Sequence, residues 1–209
     1  MDSLNDQLRS FLDDKAFANP VSKVCYGKQS LVFSEERQAG SDFTVIGVPD
    51  GLVVIKGDRF MPLLLEKIEN NGRLYRGPTF FKEGSGASKR ADFILLDEDG
   101  KQVVFLELKS GQETEEHIQS QLVGAHAVLD YIRRVGAHLL GLNWESFLGK
   151  DYSYHFAGAC RTSFSIRKRR TRPQVSGGGD SAKHFRKFSG CSEIHYRTLC
   201  GASIASGSF

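Results

Sequence analysis

Two short apolar runs separated by a polar turn stand at the centre of the hydrophobic pattern. Residues 93–96 read FILL, residues 103–106 read VVFL, and the acidic turn DEDG lies between them at 97–100. Branched and aromatic runs on both sides of a glycine-containing turn are typical of a β-hairpin. Polar residues do not alternate with the apolar ones, which indicates strands covered on both faces. The pattern therefore predicts a buried hairpin over residues 92–109.

Upstream of this hairpin the pattern predicts a helix and two further strands. Leu4, Leu8, Phe11 and Leu12 form one stripe behind Ser3, which predicts a short amphipathic helix over residues 3–13 with Ser3 as its N-cap. Residues 14–40 are poorly patterned. Residues 42–48 and 52–56 are apolar and flank a Pro-Asp-Gly turn at 49–51, which predicts two strands that form a hairpin of their own.

Helical and extended patterns then alternate around the central hairpin. Residues 58–70 predict a helix ended by Asn-Gly at 71–72, residues 74–81 a strand, and residues 84–90 a flexible loop. A helix over 113–134 follows the hairpin, with Thr114 as its N-cap and a buried stripe of five residues: Ile118, Leu122, Ala125, Leu129 and Ile132. Further strands are predicted near 152–160, 162–167 and 193–199, with a flexible glycine-rich break at 176–180 and an unpacked tail from 201.

Three charged residues lie at the ends of the buried hairpin strands. Asp92 precedes the first run, while Glu107 and Lys109 close the second and point to the same face because strand side chains alternate. A buried charge is costly unless it is paired or binds a metal. Two converging carboxylates, with the carbonyl of Leu108 as a third oxygen, suit a hard divalent cation. Lys109 would then orient an attacking water and stabilise charge on phosphorus.

A simpler alternative is that these are exposed strand ends carrying a surface ion pair between Glu107 and Lys109, which is common on edge strands. The four apolar residues at 103–106, directly before Glu107, favour the metal site over this alternative.

Asp92 followed, after a gap of fourteen residues, by Glu107-x-Lys109 resembles the catalytic signature of the PD-(D/E)XK, or restriction-endonuclease-like, nuclease superfamily. The resemblance covers residues 58–135, and Ala91 stands where the family name has proline. A literal Pro-Asp at 49–50 lies too far upstream and is interpreted as a turn. The resemblance implies an α/β (α+β) fold with a central mixed sheet flanked by helices, and Mg²⁺ or Mn²⁺ held by Asp92, Glu107 and Leu108.

The resemblance also implies two helper residues on the flanking helices. Some members of this superfamily carry an acidic residue on the first core helix, where Glu66 stands here, and others carry a glutamine on the helix after the signature, where Gln121 stands. For Glu66 the alternative is a solvated helix face, and for Gln121 it is a hydrogen bond on the helix flank. His117, on the same flank as Gln121, is interpreted as an exposed histidine.

Composition sets the outer limits. The 209 residues are 40% apolar and suit one domain with an appendage. The chain has no apolar run long enough to span a bilayer and no N-terminal signal pattern, which predicts a cytoplasmic protein without a membrane partner. Its four cysteines are widely spaced and predict free thiols. We divide the chain into an N-terminal extension (1–57), a nuclease core (58–160) and a basic C-terminal region (161–209).

Charge is unevenly distributed along the chain. Residues 161–197 contain ten Lys/Arg and two acidic residues, a net +8, so that the remainder carries −5 of the overall +3. Such asymmetry indicates a polyanionic partner whose phosphates are bound without sequence choice. The predicted nucleic-acid contacts are six cations: Lys89 and Arg90 in the loop before Asp92, and Arg167, Lys168, Arg169 and Arg170 in the basic segment. Solvated loop charges are the alternative for Lys89 and Arg90.

Together these features predict a metal-dependent nuclease that hydrolyses phosphodiester bonds of nucleic acid, and more specifically a DNA endonuclease. Two alternatives stay open. The fold could serve as a nucleic-acid-binding module without turnover, or as a defence effector nuclease activated by a partner protein or ligand. Many members of the superfamily form homodimers to cut both strands, although no interface is visible in the sequence. Neither the strandedness nor the sequence specificity of the substrate follows from these residues.

Overall fold

The computed structural model of the chain describes residues 3–33, 42–57, 67–70, 73–76, 90–111, 113–142, 147–161, 174–176 and 178–201. Within these residues the helices are α1 (Leu4–Arg9), α2 (Glu115–Leu139) and α3 (Tyr196–Leu199). The strands of the N-terminal half are β1 (Val21–Cys25), β2 (Lys28–Phe33), β3 (Phe43–Ile46), β4 (Val53–Lys56), β5 (Lys67–Asn70) and β6 (Arg73–Arg76). Those of the C-terminal half are β7 (Phe93–Asp97), β8 (Gln102–Lys109), β9 (Ser153–Cys160), β10 (Gln174–Ser176), β11 (Arg186–Ser189) and β12 (Glu193–His195).

The central element is a six-stranded mixed sheet in the order β10-β11-β9-β8-β7-β4. The predicted hairpin is confirmed, because β7 and β8 pair antiparallel, with Phe93 opposite Leu106. The N–H of Gly100 donates to Asp97 Oδ1 at 2.9 Å and closes its turn. After β8 the chain crosses over through α2 and returns as β9, which pairs parallel to β8, as a strand–helix–strand connection requires.

Two layers cover the faces of this sheet. On one face the buried residues of α1 and α2 pack against alternate residues of β4, β7, β8 and β9. On the other face a second mixed sheet, in the order β1-β2-β3-β12, packs together with α3 against the remaining residues of the same strands. The chain is thus a mixed α/β protein with two mixed sheets. The expectation of helices flanking the central sheet holds for the α2 face, while the opposite face is covered mainly by strands.

Helix α2 is close to its prediction. Thr114 is the N-cap and accepts a hydrogen bond from the His117 N–H, and all five residues of the predicted stripe are buried. The helix continues to Leu139, five residues beyond the predicted end. The predicted N-terminal helix also forms, with Ser3 as its cap, but it ends at Arg9.

The predicted pairing of residues 42–48 with 52–56 is wrong. Both segments form strands, but β3 pairs with β2 and β12, whereas β4 pairs with β7. The physical reason lies in β4, where Val54 packs against one face of the molecule and Ile55 against the other. A strand with apolar residues on both faces can bury both of them within the six-stranded sheet but not in a separate two-stranded hairpin. Strands from each of the three predicted segments enter this sheet, so its limits do not coincide with the predicted boundaries.

Three further segments depart from prediction. The end of the predicted helix 58–70 is instead strand β5, which pairs with β6 so that Asn70 lies opposite Arg73. Asn-Gly at 71–72, predicted to end the helix, lies outside the described residues. The poorly patterned region contains the hairpin β1–β2, and the predicted strand 193–199 turns into α3 after His195. Residues 58–66, 77–81, 162–167 and 202–209 lie outside the described residues. No helix in the described ranges has the length and apolarity needed to cross a bilayer.

Candidate functional site

The three charged residues of the hairpin meet at one end of the central sheet. The backbone N–H of Asp92 donates to Glu107 Oε2 at 3.0 Å, and Lys109 Nζ lies 2.5 Å from Glu107 Oε1. The Asp92 carboxylate in turn accepts a hydrogen bond from the N–H of Leu108 at 2.8 Å. The residues that were predicted to converge from the sequence are therefore in direct contact.

Strand alternation explains why they share a face. Val103 and Phe105 of β8 belong to the core under α2, so Glu107 and Lys109 continue the same row. On β7, Ile94 lies in that core as well, which places Asp92 on the same side. The antiparallel register ends with Phe93 opposite Leu106, so Asp92 and Glu107 are the next residues along the two strands.

The β7–β8 ladder opens at this point. In a regular ladder the N–H of Leu108 would bond to the backbone of β7, but here it bonds to the side chain of Asp92. The backbone of Asp92 instead turns to β4, where its carbonyl accepts the N–H of Gly57 at 2.9 Å. Because the N–H and C=O of a strand residue leave by the same edge, the Leu108 carbonyl also faces the opening.

Gly57 is a site-forming residue that sequence reasoning missed. A Cβ atom at this position would lie 2.0 Å from the carbonyl oxygen of Ala91, far inside van der Waals contact. Only glycine lets β4 approach the segment that carries Asp92. The available signal was an isolated glycine directly after a strand, which marks a close backbone approach.

Glu107 is the electrostatic centre of the cluster. Its side chain is 0% exposed. Burial raises its pKa well above the ordinary value, and the neighbouring Asp92 raises it further, while Lys109 and the Asp92 N–H act in the opposite direction. Lys109 is 21% exposed and links the buried carboxylate to solvent. The interpretation as exposed strand ends with a surface ion pair is therefore wrong.

The first turns of α2 lie next to this cluster. Gly158 of β9 is the register partner of Glu107, and a Cβ at Gly158 would lie 2.9 Å from Ile118 Cγ2, so α2 docks closely over this position. Just before the helix, Glu113 Oε2 pairs with His117 Nδ1 at 2.8 Å. Burial raises the pKa of Glu113, but hydrogen bonds from the Thr114 N–H and from His117 outweigh it, and the net direction is downward.

The predicted helper residues have different outcomes. Gln121 lies one turn beyond Ile118, and among the described residues its Oε1 atom is buried without a hydrogen-bond partner. Arg90 is half-buried next to Ala91, and burial lowers the pKa of its guanidinium. Six predicted site residues lie outside the described residues: Glu66, Lys89, Arg167, Lys168, Arg169 and Arg170.

Part of the basic C-terminal segment is used inside the protein. Arg186 is buried and donates hydrogen bonds to the carbonyls of Thr198, Leu199 and Gly178. Lys187 Nζ lies 2.5 Å from Glu115 Oε2, and Arg161 donates to the carbonyl of Asp42. Since Arg186 is buried, the charge available to a polyanion is smaller than the predicted +8 of residues 161–197.

The donor set matches a magnesium-type cation better than a zinc-type one. Within the described residues no group of three or more His, Cys, Asp or Glu side chains is placed to hold a metal. The corner instead offers the carboxylates of Asp92 and Glu107 and the carbonyl of Leu108. Mg²⁺ is commonly held by one or two carboxylates and keeps several of its waters, so these oxygens fit it.

Comparison with protein-family models, curated proteins and solved structures finds no match to this chain.

Proposed function

We propose that the protein is a metal-dependent nuclease with a restriction-endonuclease-like core, and that its substrate is DNA. The observation that supports this most is a fully buried carboxylate, Glu107, in contact with the Asp92 backbone and the Lys109 ammonium. A purely structural sheet gains little by burying a carboxylate whose charge its neighbour Asp92 disfavours. A divalent cation between the two carboxylates would offset both costs.

In this proposal Asp92, Glu107 and the Leu108 carbonyl hold Mg²⁺ or Mn²⁺. When bound, the cation supplies Lewis-acid activation of the phosphodiester and its attacking water. The chain's own residues arrange the remainder. The Asp92 N–H fixes one oxygen of Glu107, and the other oxygen of Glu107 fixes Lys109. Lys109, whose side chain is partly exposed, then orients water and stabilises charge that develops on the phosphoryl oxygens.

Binding of the substrate backbone rests on cations around this corner. Arg90, two residues before Asp92, is the described candidate for a phosphate contact. Lys89 and Arg167–Arg170 are proposed for the same role from their sequence positions alone. Contacts of this kind bind phosphates without reading bases and weaken as salt rises.

Cleavage of supercoiled plasmid tests the proposal. We expect nicking or linearisation with Mg²⁺ or Mn²⁺ and none with EDTA. Lys109→Ala and Asp92→Asn should each lower the rate by about 100-fold or more, because the first removes the ammonium that stabilises charge on the phosphoryl oxygens and the second removes a carboxylate that holds the cation. Matched controls are Lys15→Ala and Asp99→Asn, which change exposed residues of the same types outside the corner and should cleave like wild type.

The outcome also separates the alternatives. Nucleic-acid binding without cleavage, by both wild type and Lys109→Ala, would contradict the nuclease and favour a binding module. A purified protein that is inactive alone but cleaves in the presence of a cell extract, and only with Lys109 intact, would indicate a nuclease activated by a partner or ligand.

A further inference from the structure

The outer part of the β1–β2 hairpin, residues 21–29, is exposed and is called the arm here, whereas residues 30–33 of β2 pair with β3. Residues 21–29 are exposed except for the partly buried Cys25. Its apolar side chains are among the most exposed of the described residues, with Val21 at 66%, Val24 at 76% and Tyr26 at 79% exposure. Large side chains that stay in solvent at these positions are not used for packing the fold.

The turn at the tip of the arm has a strained backbone, because a tyrosine occupies a position with positive φ. Cys25 is paired with Lys28, so Tyr26 and Gly27 form a two-residue loop, with φ of 52° and 70°. Positive φ at both positions defines a type I′ turn, in which asparagine, aspartate or glycine is preferred at the first position. A tyrosine there is conformationally costly. Its hydroxyl makes one long hydrogen bond of 3.4 Å to Glu193, and the ring itself stays exposed.

The charge and anchoring of the arm point to the kind of partner it takes. The arm contains Lys23 and Lys28, both exposed, and no acidic residue. At the far end of β2 the ring of Phe33 packs edge-on against Phe93 with centroids 4.7 Å apart, and Phe93 directly follows Asp92. The six residues of β2 span about 20 Å, and the four nearest Phe93 pair with β3. The ring of Phe93 points away from Asp92 and Glu107, so the arm belongs to the sheet on the face opposite to α2.

We propose that this arm binds nucleic acid, with the Tyr26 ring stacked on a base and with Lys23 and Lys28 in contact with phosphates. The proposal deepens the proposed function, on which it rests for the class of substrate. An aromatic face combined with flanking cations is the chemistry that binds single strands and unpaired ends without sequence choice. The strain at the tip is then explained, because the ring serves the ligand rather than the turn.

A single substitution gives two opposite readouts. Tyr26→Asn places the preferred residue in the type I′ turn, so we expect a melting temperature about 2–4 °C higher. The same change removes the stacking ring, so affinity for a 20-nucleotide single strand should fall about 5- to 100-fold. Binding is measured by fluorescence anisotropy in EDTA, with a duplex of the same sequence as a second probe, for which the loss should be smaller.

Matched variants sharpen the test. Tyr131→Asn alters a tyrosine of 63% exposure on α2 and should leave affinity unchanged. Tyr26→Phe keeps the ring and should bind like wild type. Replacing Lys23 and Lys28 together with glutamine should lower the salt dependence of binding by about one contact for each lysine.

Unchanged affinity in Tyr26→Asn would overturn the proposal, as would the absence of any binding to single strand or duplex. A loss of affinity shared equally by Tyr131→Asn would also overturn it. Failure of the nuclease assignment looks different. In that case wild type cleaves nothing with Mg²⁺ or Mn²⁺, yet Tyr26→Asn still binds more weakly than wild type, and the arm keeps its role.

Discussion

Glu107→Gln should stabilise the protein while removing its proposed activity. The folded protein raises the pKa of Glu107, first through burial and then through Asp92. The folded state therefore holds this proton more tightly than the unfolded state does. The resulting stability is present at low pH and is lost as pH rises through the ordinary glutamate range toward the raised value. At pH 8, far above the ordinary glutamate range, wild type has lost stability that it has at low pH, whereas a neutral amide of the same shape has no such loss.

The size of the effect follows from linkage. Each tenfold difference between the acid dissociation constants of the folded and unfolded states is worth about 1.4 kcal/mol. For a chain of this length that corresponds to about 3–6 °C in Tm. In thermal unfolding at pH 8 in EDTA, the Tm of Glu107→Gln should therefore be higher than that of wild type. This difference in Tm should be smaller at pH 5. Glu116→Gln, at an exposed position of α2, is the control and should show no comparable gain.

Adding Mn²⁺ completes this test. A cation present at about one hundred times its dissociation constant stabilises the folded state by about 2.7 kcal/mol, or about 5–10 °C. The Tm of wild type and of Glu116→Gln should rise by this amount on addition of Mn²⁺, whereas the Tm of Glu107→Gln should not. The reasoning is refuted if Glu107→Gln melts below wild type at pH 8 in EDTA, because the charge of Glu107 would then contribute to folding rather than oppose it.

Three further outcomes follow from the packing. Gly57→Ala should abolish plasmid cleavage and lower Tm, because the added Cβ would lie 2.0 Å from the Ala91 carbonyl oxygen. Activity close to wild type would contradict the close approach of Gly57 to the Ala91 backbone. Arg186→Met should lower the free energy of unfolding by about 2–4 kcal/mol in urea titrations, because it leaves carbonyls such as that of Thr198 without their donor. A decrease of less than about 0.5 kcal/mol would show that these hydrogen bonds are dispensable. Burial raises the pKa of the Cys160 thiol to about 12, so iodoacetamide at pH 8 should label Cys160 only after unfolding. Peptide mass spectrometry measures this labelling, and rapid labelling of the folded protein would contradict the burial of Cys160.

The contact of Asp92, Glu107 and Lys109 could be predicted from the sequence because its signals are local. Buried strands, an acidic turn and a capped helix lie within about fifty consecutive residues, and side-chain alternation alone places Glu107 and Lys109 on one face. The contact with Asp92 then needs only the hairpin register. By contrast, Gly57 reaches the same corner from another strand, and its role depends on a non-local pairing of β4 with β7.

Other parts of the structure could not be predicted from the sequence, for identifiable physical reasons. Strand β1 is exposed on both faces, so its sequence shows no alternation of apolar and polar residues and does not predict a strand. The pattern of residues 42–56 predicts strands but carries no information on which sheet each strand joins. Charge counting placed Arg186 with the surface cations, although three backbone carbonyls hold it inside the protein.

The most direct measurement is anomalous diffraction from a crystal soaked in Mn²⁺. We expect one strong peak at the end of the β7–β8 hairpin, about 2.1 Å from carboxylate oxygens of Asp92 and Glu107 and from the Leu108 carbonyl. A soaked crystal with no peak at these oxygens, and with Glu107 still held by Lys109 and the Asp92 N–H, would contradict the metal centre on which the nuclease assignment depends.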